Sequence, residues 1–242
     1  MDRFLYVGMN GARQLMMAQA VNANNLANAS TTGFRADLHG FQAQENQGFG
    51  FHSRINPSAT SQSIDLSYGS LRETGRRLDV ALAGDGFFVM QDPSGAEGLT
   101  RNGQFSIGPG GLLSTSNGGL VLGEGGPISI PPGGQPFIEP DGSVLVSQDG
   151  GAGAAVGRLR LVNPPAASLY RREDGLLNSS EAFENDPEVR VRSGALEQSN
   201  VNPVHEMVRM IELSRLWEMN VKTMTAAEDN ARAAASVAAF VR

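Results

Sequence analysis

The chain has 242 residues, no Cys, and a formal net charge of −6 at pH 7. Without Cys it forms no disulfide, thiolate metal site, Cys nucleophile or dithiol relay. The acidic balance speaks against a nucleic-acid binder, which needs a basic face to neutralise phosphates.

Met1 opens the chain without a cationic segment and apolar run, so no secretory signal peptide is expected. No apolar stretch approaches the roughly 20 residues that span a bilayer, so no direct membrane insertion is expected either. From Asp2 to Asn28 there is no Pro. Apolar or small residues recur at Leu5, Met9, Ala12, Met16, Ala23 and Leu26, steps that draw a stripe on a helix, interrupted by Gln19. Between Phe4 and Phe34 the only charged residue is Arg13, and the polar positions are amides, among them Asn22, Asn24, Asn25 and Asn28. A solvent-facing helix normally carries Lys and Glu at such positions. The pattern predicts a helix covered on several sides, its amides bonded to neighbouring chains; the alternative is an ordinary amphipathic helix with an Asn-rich exposed face.

Residues 35–68 are dominated by Ser, Gln and Asn and are expected to form an extended connector. Residues 69–195 read as a β domain. Hairpin-type dipeptides recur at Asp85-Gly86, Asn102-Gly103, Asn117-Gly118, Asp141-Gly142 and Asp174-Gly175. Candidate strands include Leu78–Leu82, Phe87–Gln91, Gly103–Ile107, Leu120–Leu122, Val144–Ser147, Arg158–Val162 and Val189–Arg192. Leu78, Val80 and Leu82 alternate, which gives that strand one buried face.

The remainder, 196–242, is expected to carry a long helix. Asn202 is a suitable cap, and Pro203 fits a first turn because its missing N–H costs nothing there. Neither Gly nor Pro follows. One stripe runs Met210, Leu213, Trp217, Val221, Met224, then Ala227, Ala231, Ala235 and Ala238; Val204, Met207 and Ile211 widen its start. Glu206 to Arg209, Glu212 to Arg215, Glu218 to Lys222 and Glu228 to Arg232 place each acid before its base at helical spacing. A helix this long points to coiled-coil pairing or assembly, and the obvious partner is the other terminus. The fold expected is α+β: N- and C-terminal helices (1–34 with 200–242) paired as a coiled coil, and a central, mostly antiparallel β domain inserted between them.

Motifs that carry chemistry are scarce in the sequence. His39, His52 and His205 are the only histidines, and none is spaced to share a metal on one helix. His205-Glu206 begins like a zinc-protease HExxH, but Arg209 stands where the second His must be. There is no phosphate-binding G-x-x-x-x-G-K-[ST], no G-x-G-x-x-G and no G-x-S-x-G nucleophile elbow. Carboxylate pairs such as Glu139 with Asp141 read as turn residues. No cofactor, metal, catalytic residue or small-molecule substrate is expected.

Four blocks in order carry a resemblance. Asn24-Asn25-Leu26-Ala27-Asn28 with Thr31-Thr32-Gly33-Phe34-Arg35 resembles the N-terminal signature of the flagellar rod and hook proteins. Thr74-Gly75, Leu78-Asp79-Val80-Ala81 and Gly84-Asp85-Gly86-Phe87-Phe88 resemble the opening of their central domain. Thr100-Arg101-Asn102-Gly103-Gln104-Phe105 resembles the block that follows. Gly194-Ala195-Leu196-Glu197-Gln198-Ser199-Asn200-Val201-Asn202-Pro203 resembles the lead into their C-terminal helix. Leu99 and Arg76-Arg77 depart from the common pattern. Met1-Asp2-Arg3-Phe4-Leu5-Tyr6-Val7 and the compact length are most similar to the proximal-rod members.

The resemblance implies a structural subunit, not an enzyme, that polymerises through its terminal helices into the hollow shaft that transmits torque to the hook and lines the export channel. It implies delivery by the flagellar type III export apparatus without a cleaved signal, assembly in the periplasm, and neighbouring rod subunits as partners. The residues it points to for the helical interface are Leu5, Met9, Ala12, Met16, Asn24, Asn25, Leu26, Asn28, Gly33, Phe34, Met210, Leu213, Trp217, Val221 and Met224. Gly33 is expected to stop the first helix and turn the chain outward, and Phe34 to anchor the connector on the helical layer. The alternatives are a distal-rod or hook-type subunit of the same family or, from another class, a β-rich binding or adhesin module.

Overall fold

The computed structural model describes residues 2–45, 55–59, 63–148 and 153–240. They divide into two compact units, one from Met1–Ala27, Asp37–Gln62 and Asn202–Arg242, the other from Asn28–Ala36 and Ser63–Val201. The architecture is α+β, with a helix at each end of the chain and antiparallel strands between.

In the first unit, helix α1 spans Asp2–Ala27 and helix α2 spans Pro203–Phe240. The start of α2 follows from its first residues. Asn202 Oδ1 accepts hydrogen bonds from the backbone N–H groups of Val204 at 3.0 Å and His205 at 3.3 Å, satisfying donors that a helix start leaves open. At 38 residues α2 is about 57 Å long, far beyond an ordinary globular helix. The two helices pack antiparallel: Gly8 faces Met224, Gly11 faces Asn220, and Asn22 meets Glu206. The positions withdrawn from solvent on α1 include Gly8, Gly11, Leu15, Ala18, Asn22 and Asn25; on α2 they include Glu206, Met210, Leu213, Trp217, Asn220, Met224, Ala227 and Ala231.

Both rows step by three and four, but the row on α1 is not the expected stripe, of which Met9, Met16 and Ala23 are exposed. The reason is proximity. A Cβ on Gly8 would lie 2.9 Å from Met224 Cγ, and one on Gly11 would lie 3.0 Å from Asn220 Nδ2. Helices this close need the small side of α1 inward, and its larger apolar residues turn away. The same unit holds an antiparallel strand pair, Phe41–Glu45 with Ile55–Ala59, in register from Phe41 opposite Ala59 to Glu45 opposite Ile55.

The second unit is built on an antiparallel sheet with the order Leu169–Arg171, Leu177–Ser179, Glu97–Thr100, Phe87–Gln91, Leu120–Gly123, Leu113–Thr115 and Phe105–Ile107. Its central strand reads Phe-Phe-Val-Met without alternation because both faces are covered. Phe88 enters one apolar cluster with Val80, Phe105, Leu113 and Val144, while Phe87 and Val89 enter a second with Leu99, Val162 and Leu177. Phe88 and Phe105 meet edge-to-face, centroids 5.3 Å apart. A three-stranded sheet, Gln135–Ile138, Ser143–Ser147 and Ala154–Arg158, contributes Ile138, Val144 and Val146 to the first cluster. In Ser143–Ser147 the buried residues alternate, as a strand with one covered face requires. Two short pairs join the beginning of this unit to its end: Val80–Leu82 with Val191–Ser193, and Leu71–Glu73 with Ala195–Glu197.

Candidate assembly surface

The polar groups on α1 that read as waiting for neighbouring chains include two used within this one. Asn22, buried, donates through Nδ2 to the Glu206 carbonyl at 3.1 Å and to the Glu206 carboxylate. Asn25, also buried, makes a reciprocal pair with the backbone of Asp37: its Nδ2 donates to the Asp37 carbonyl at 2.9 Å, and its Oδ1 accepts from the Asp37 N–H at 2.9 Å. An amide does here what a neighbouring peptide group does in a sheet, and it does so without the desolvation cost of a charge.

Among the charged and polar residues exposed on the helices stand several large apolar ones. On α1 Tyr6, Met9, Met16 and Met17 are exposed, Met9 at 55% and Met16 at 57%. On α2 Val204, Met207, Val208, Ile211, Leu216, Met219 and Val221 are exposed, with Met207 at 51% and Ile211 at 55%. Single exposed apolar residues are ordinary, but here several recur along helices already paired with each other.

The residues expected at the interface do not share one environment. Met9, Met16, Asn24 and Val221 are exposed. Ala12, Leu26, Met210, Trp217 and Met224 are half-buried, and Asn25 and Leu213 are buried; of these Met224 packs on Gly8. The side chain of Leu5 lies outside the described residues, as do His52, Val241 and Arg242. Asn28, Gly33 and Phe34 belong to the β unit. Asn28 opens a turn, its Oδ1 accepting from Thr31 Oγ1 at 3.1 Å and its carbonyl from the Thr31 N–H at 3.0 Å.

Gly33 is not the residue that stops the helix. α1 ends at Ala27, and Gly33 lies beyond the turn, with φ of +69°. Its N–H donates to the Glu197 carbonyl at 2.8 Å. Phe34 packs with Ala29, Ala36 and Val201, and the Arg171 guanidinium lies 4.5 Å from its ring centroid, so its anchorage is in the β unit.

Three residues that the periodicity did not single out gather at this point: Arg35, Arg101 and Glu197 are 2%, 3% and 3% exposed. Arg35 Nη2 lies 2.8 Å from Glu197 Oε1, and Arg101 Nη1 lies 3.5 Å from Glu197 Oε2. Burial pushes the Glu197 carboxyl above the usual carboxylate range, while Arg35 pulls it down. Tyr68 spans both guanidinium groups, and its hydroxyl donates to Asp85 Oδ1 at 2.6 Å, a bond that holds the phenol pKa above its ordinary value. The signal for these residues was present. Each stands in one of the sequence blocks quoted above, and the fold brings three of those blocks to one place.

His39 is buried in the helical unit and His205 is exposed on the first turn of α2. Among the described residues no group of three His, Asp or Glu is placed to hold a metal ion, and no helix is long and apolar enough to cross a membrane.

Comparison with known proteins covers most of the chain. Residues 5–35 match the family model for flagella basal body rod proteins, 81–150 the model for the D1 domain of the flagellar hook protein FlgE/F/G, and 192–237 the model for the C-terminal part of flagellar basal body rod FlgEFG proteins. The chain is 42% identical over 240 residues to the flagellar basal-body rod protein FlgF of Salmonella typhimurium, covering 95% of this chain and 96% of that protein. It is 40% identical over 241 residues to FlgF of Escherichia coli, covering 96% of each. It is 29% identical over 256 residues to the flagellar basal-body rod protein FlgG of Buchnera aphidicola, covering 93% of this chain and 95% of that one.

Proposed function

The chain belongs to the flagellar basal-body rod protein family, most like its FlgF members, and on that premise we propose that α1 and α2 are the parts through which it polymerises into the proximal rod. It is a structural subunit of the basal-body rod, located in the flagellar basal body and assembled with other rod and hook subunits. Beyond that, the helices form the inner layer of a hollow shaft that carries torque to the hook and lines the export channel. The subunit arrives by the flagellar type III pathway and adds to the rod in the periplasm. Its neighbours are copies of itself and other rod proteins. No catalytic role is assigned.

One observation carries this reading: the apolar side chains left exposed on both helices after the helices have packed on each other. A monomer gains nothing from them, whereas a helical polymer of heterologous contacts buries them. The coiled-coil character of the pair is part of the proposal, supported by the steps of three and four in both packed rows. The highest identities, 42% and 40%, are to FlgF proteins, which supports a FlgF-type subunit.

The test replaces two exposed residues one turn apart. Met207→Glu with Ile211→Glu leaves the α1-facing side of α2 intact. In a strain deleted for this gene, the double variant is expected to give no swimming and no intact basal bodies by electron microscopy, while the purified chain keeps the wild-type helical circular dichroism. Normal swimming by that strain rejects the helices as the assembly surface.

A further inference from the structure

We infer that Arg35, Glu197 and Arg101 form a charged cross-tie that lets the β unit close only when the segment following α1 and the segment preceding α2 are both in place.

The geometry is that of a shared carboxylate. Glu197 Oε1 accepts from the Gly69 N–H at 3.0 Å as well as facing Arg35 at 2.8 Å, and Arg101 approaches Oε2 at 3.5 Å. Each guanidinium turns its other donors to backbone carbonyls in further segments. Arg35 Nη1 donates to the Ser67 carbonyl; Arg101 Nε donates to Gly86 at 3.0 Å and its Nη2 to Gly84. Tyr68 covers both groups, its ring centroid 5.7 Å from Arg35 Cζ and 5.4 Å from Arg101 Cζ. The side chains thereby link five stretches of the chain: 33–36, 65–70, 84–87, the one carrying Arg101, and 195–198.

Backbone bonds run parallel to the tie. The Gln198 N–H donates to Ser70 at 2.8 Å, the Asn200 N–H to Phe34 at 3.3 Å, and the Ala36 N–H to Asn200 Oδ1 at 2.8 Å. The side chains add interdependence. Two cations share one anion out of water, so removing Glu197 leaves both guanidinium groups uncompensated and close together. Its loss is therefore felt at Ser67 and at Gly84 to Gly86, which Glu197 itself does not touch. A contact that merely fastened the strand Ala195–Glu197 to Leu71–Glu73 would loosen that pair and nothing else. All members of the tie lie within the compact unit of 28–36 with 63–201.

Hydrogen–deuterium exchange on the full-length chain reads this directly. Glu197→Gln is expected to raise amide exchange at least tenfold in 33–36, 65–70 and 84–87 together, while the Ser143–Ser147 strand, which takes no part in the tie, keeps its wild-type rate. Tyr68→Ala, at an exposed residue, is expected to give a smaller rise in the same three segments. Adding Arg35→Gln to Glu197→Gln is expected to raise their exchange no further, because the tie is already broken. A change confined to 195–199, an equal rise in Ser143–Ser147, or a further tenfold rise in the double variant overturns the proposal. If Glu197→Gln gives no folded chain, Tyr68→Ala decides alone: a joint rise in the three segments supports the tie, and wild-type rates there reject it.

Discussion

A Cβ placed on Gly33 would stand 2.3 Å from the backbone nitrogen of Asn102 and 2.4 Å from the carbonyl carbon of Arg101. Neither atom can swing away as a side-chain tip can. Gly33 also holds φ of +69°, a conformation that costs an L-residue about 1–2 kcal/mol. Two demands therefore meet at one residue, and they can be separated. Gly33→Ala violates both, while Gly33→Asn eases the left-handed conformation and leaves the clash. Both variants are expected to melt well below wild type and to lose protection in the β unit. At a simple helix stop Asn substitutes well for Gly. A wild-type melting temperature for Gly33→Asn shows that the backbone approach does not decide.

The reciprocal pair between Asn25 and Asp37 uses both ends of one amide. Asn25→Ala deprives the Asp37 N–H and carbonyl of that partner, a loss of about 1–3 kcal/mol for groups withdrawn from water. Asn25→Asp keeps the acceptor but sets a carboxylate oxygen against the Asp37 carbonyl. That variant is expected to be weaker than Asn25→Ala near neutral pH and to recover as the pH falls through the carboxylate range, when the acid regains a donor. Denaturant unfolding at two pH values checks both statements. Equal stability of the two variants at every pH removes the role of the donor.

Asp92 closes the turn after the strand Phe87–Gln91. Its Oδ1 accepts from the Ser94 hydroxyl at 2.5 Å, the Ser94 N–H at 2.8 Å and the Ala96 N–H at 3.1 Å, and its Oδ2 pairs with Arg172. These partners, the Ser94 hydroxyl first among them, pull the carboxyl down to about 2. A carboxyl lowered on folding favours the folded state above its ordinary value, and the effect fades as pH falls toward 2. Carboxyl chemical shifts are expected to place the Asp92 midpoint near 2 in the wild type and closer to its ordinary value in Ser94→Ala. An unshifted midpoint in Ser94→Ala assigns the effect elsewhere.

The elements that the sequence determined by itself are those set by local chemistry. Asn202 and Pro203 start α2, and the absence of Gly and Pro lets it run on. Asp141-Gly142 turns between two strands because the Gly142 N–H returns to Glu139 and the Gly takes φ of +88°. The apolar runs at Phe87–Gln91 and Val144–Ser147 were legible as strands, whereas the alternation of Leu78, Val80 and Leu82 misled: the strand is Val80–Leu82, and Val80, Ala81 and Leu82 are all buried.

Tertiary structure decided what depends on distance across the chain. Which side of α1 turns inward was settled by how closely α2 approaches. That favours Gly8 and Gly11 over Met9 and Met16, against the ordering that hydrophobicity gives. The destination of Gly33 was settled by the backbone of Arg101 and Asn102, some seventy residues onward, which no local signal names. Arg35, Arg101 and Glu197 stand in three separate motif blocks of the sequence, with no local signal that pairs them. Only the fold makes them neighbours, and only as neighbours do they tolerate burial, because a charge leaves water when its counter-charge and hydrogen-bond partners are already in place.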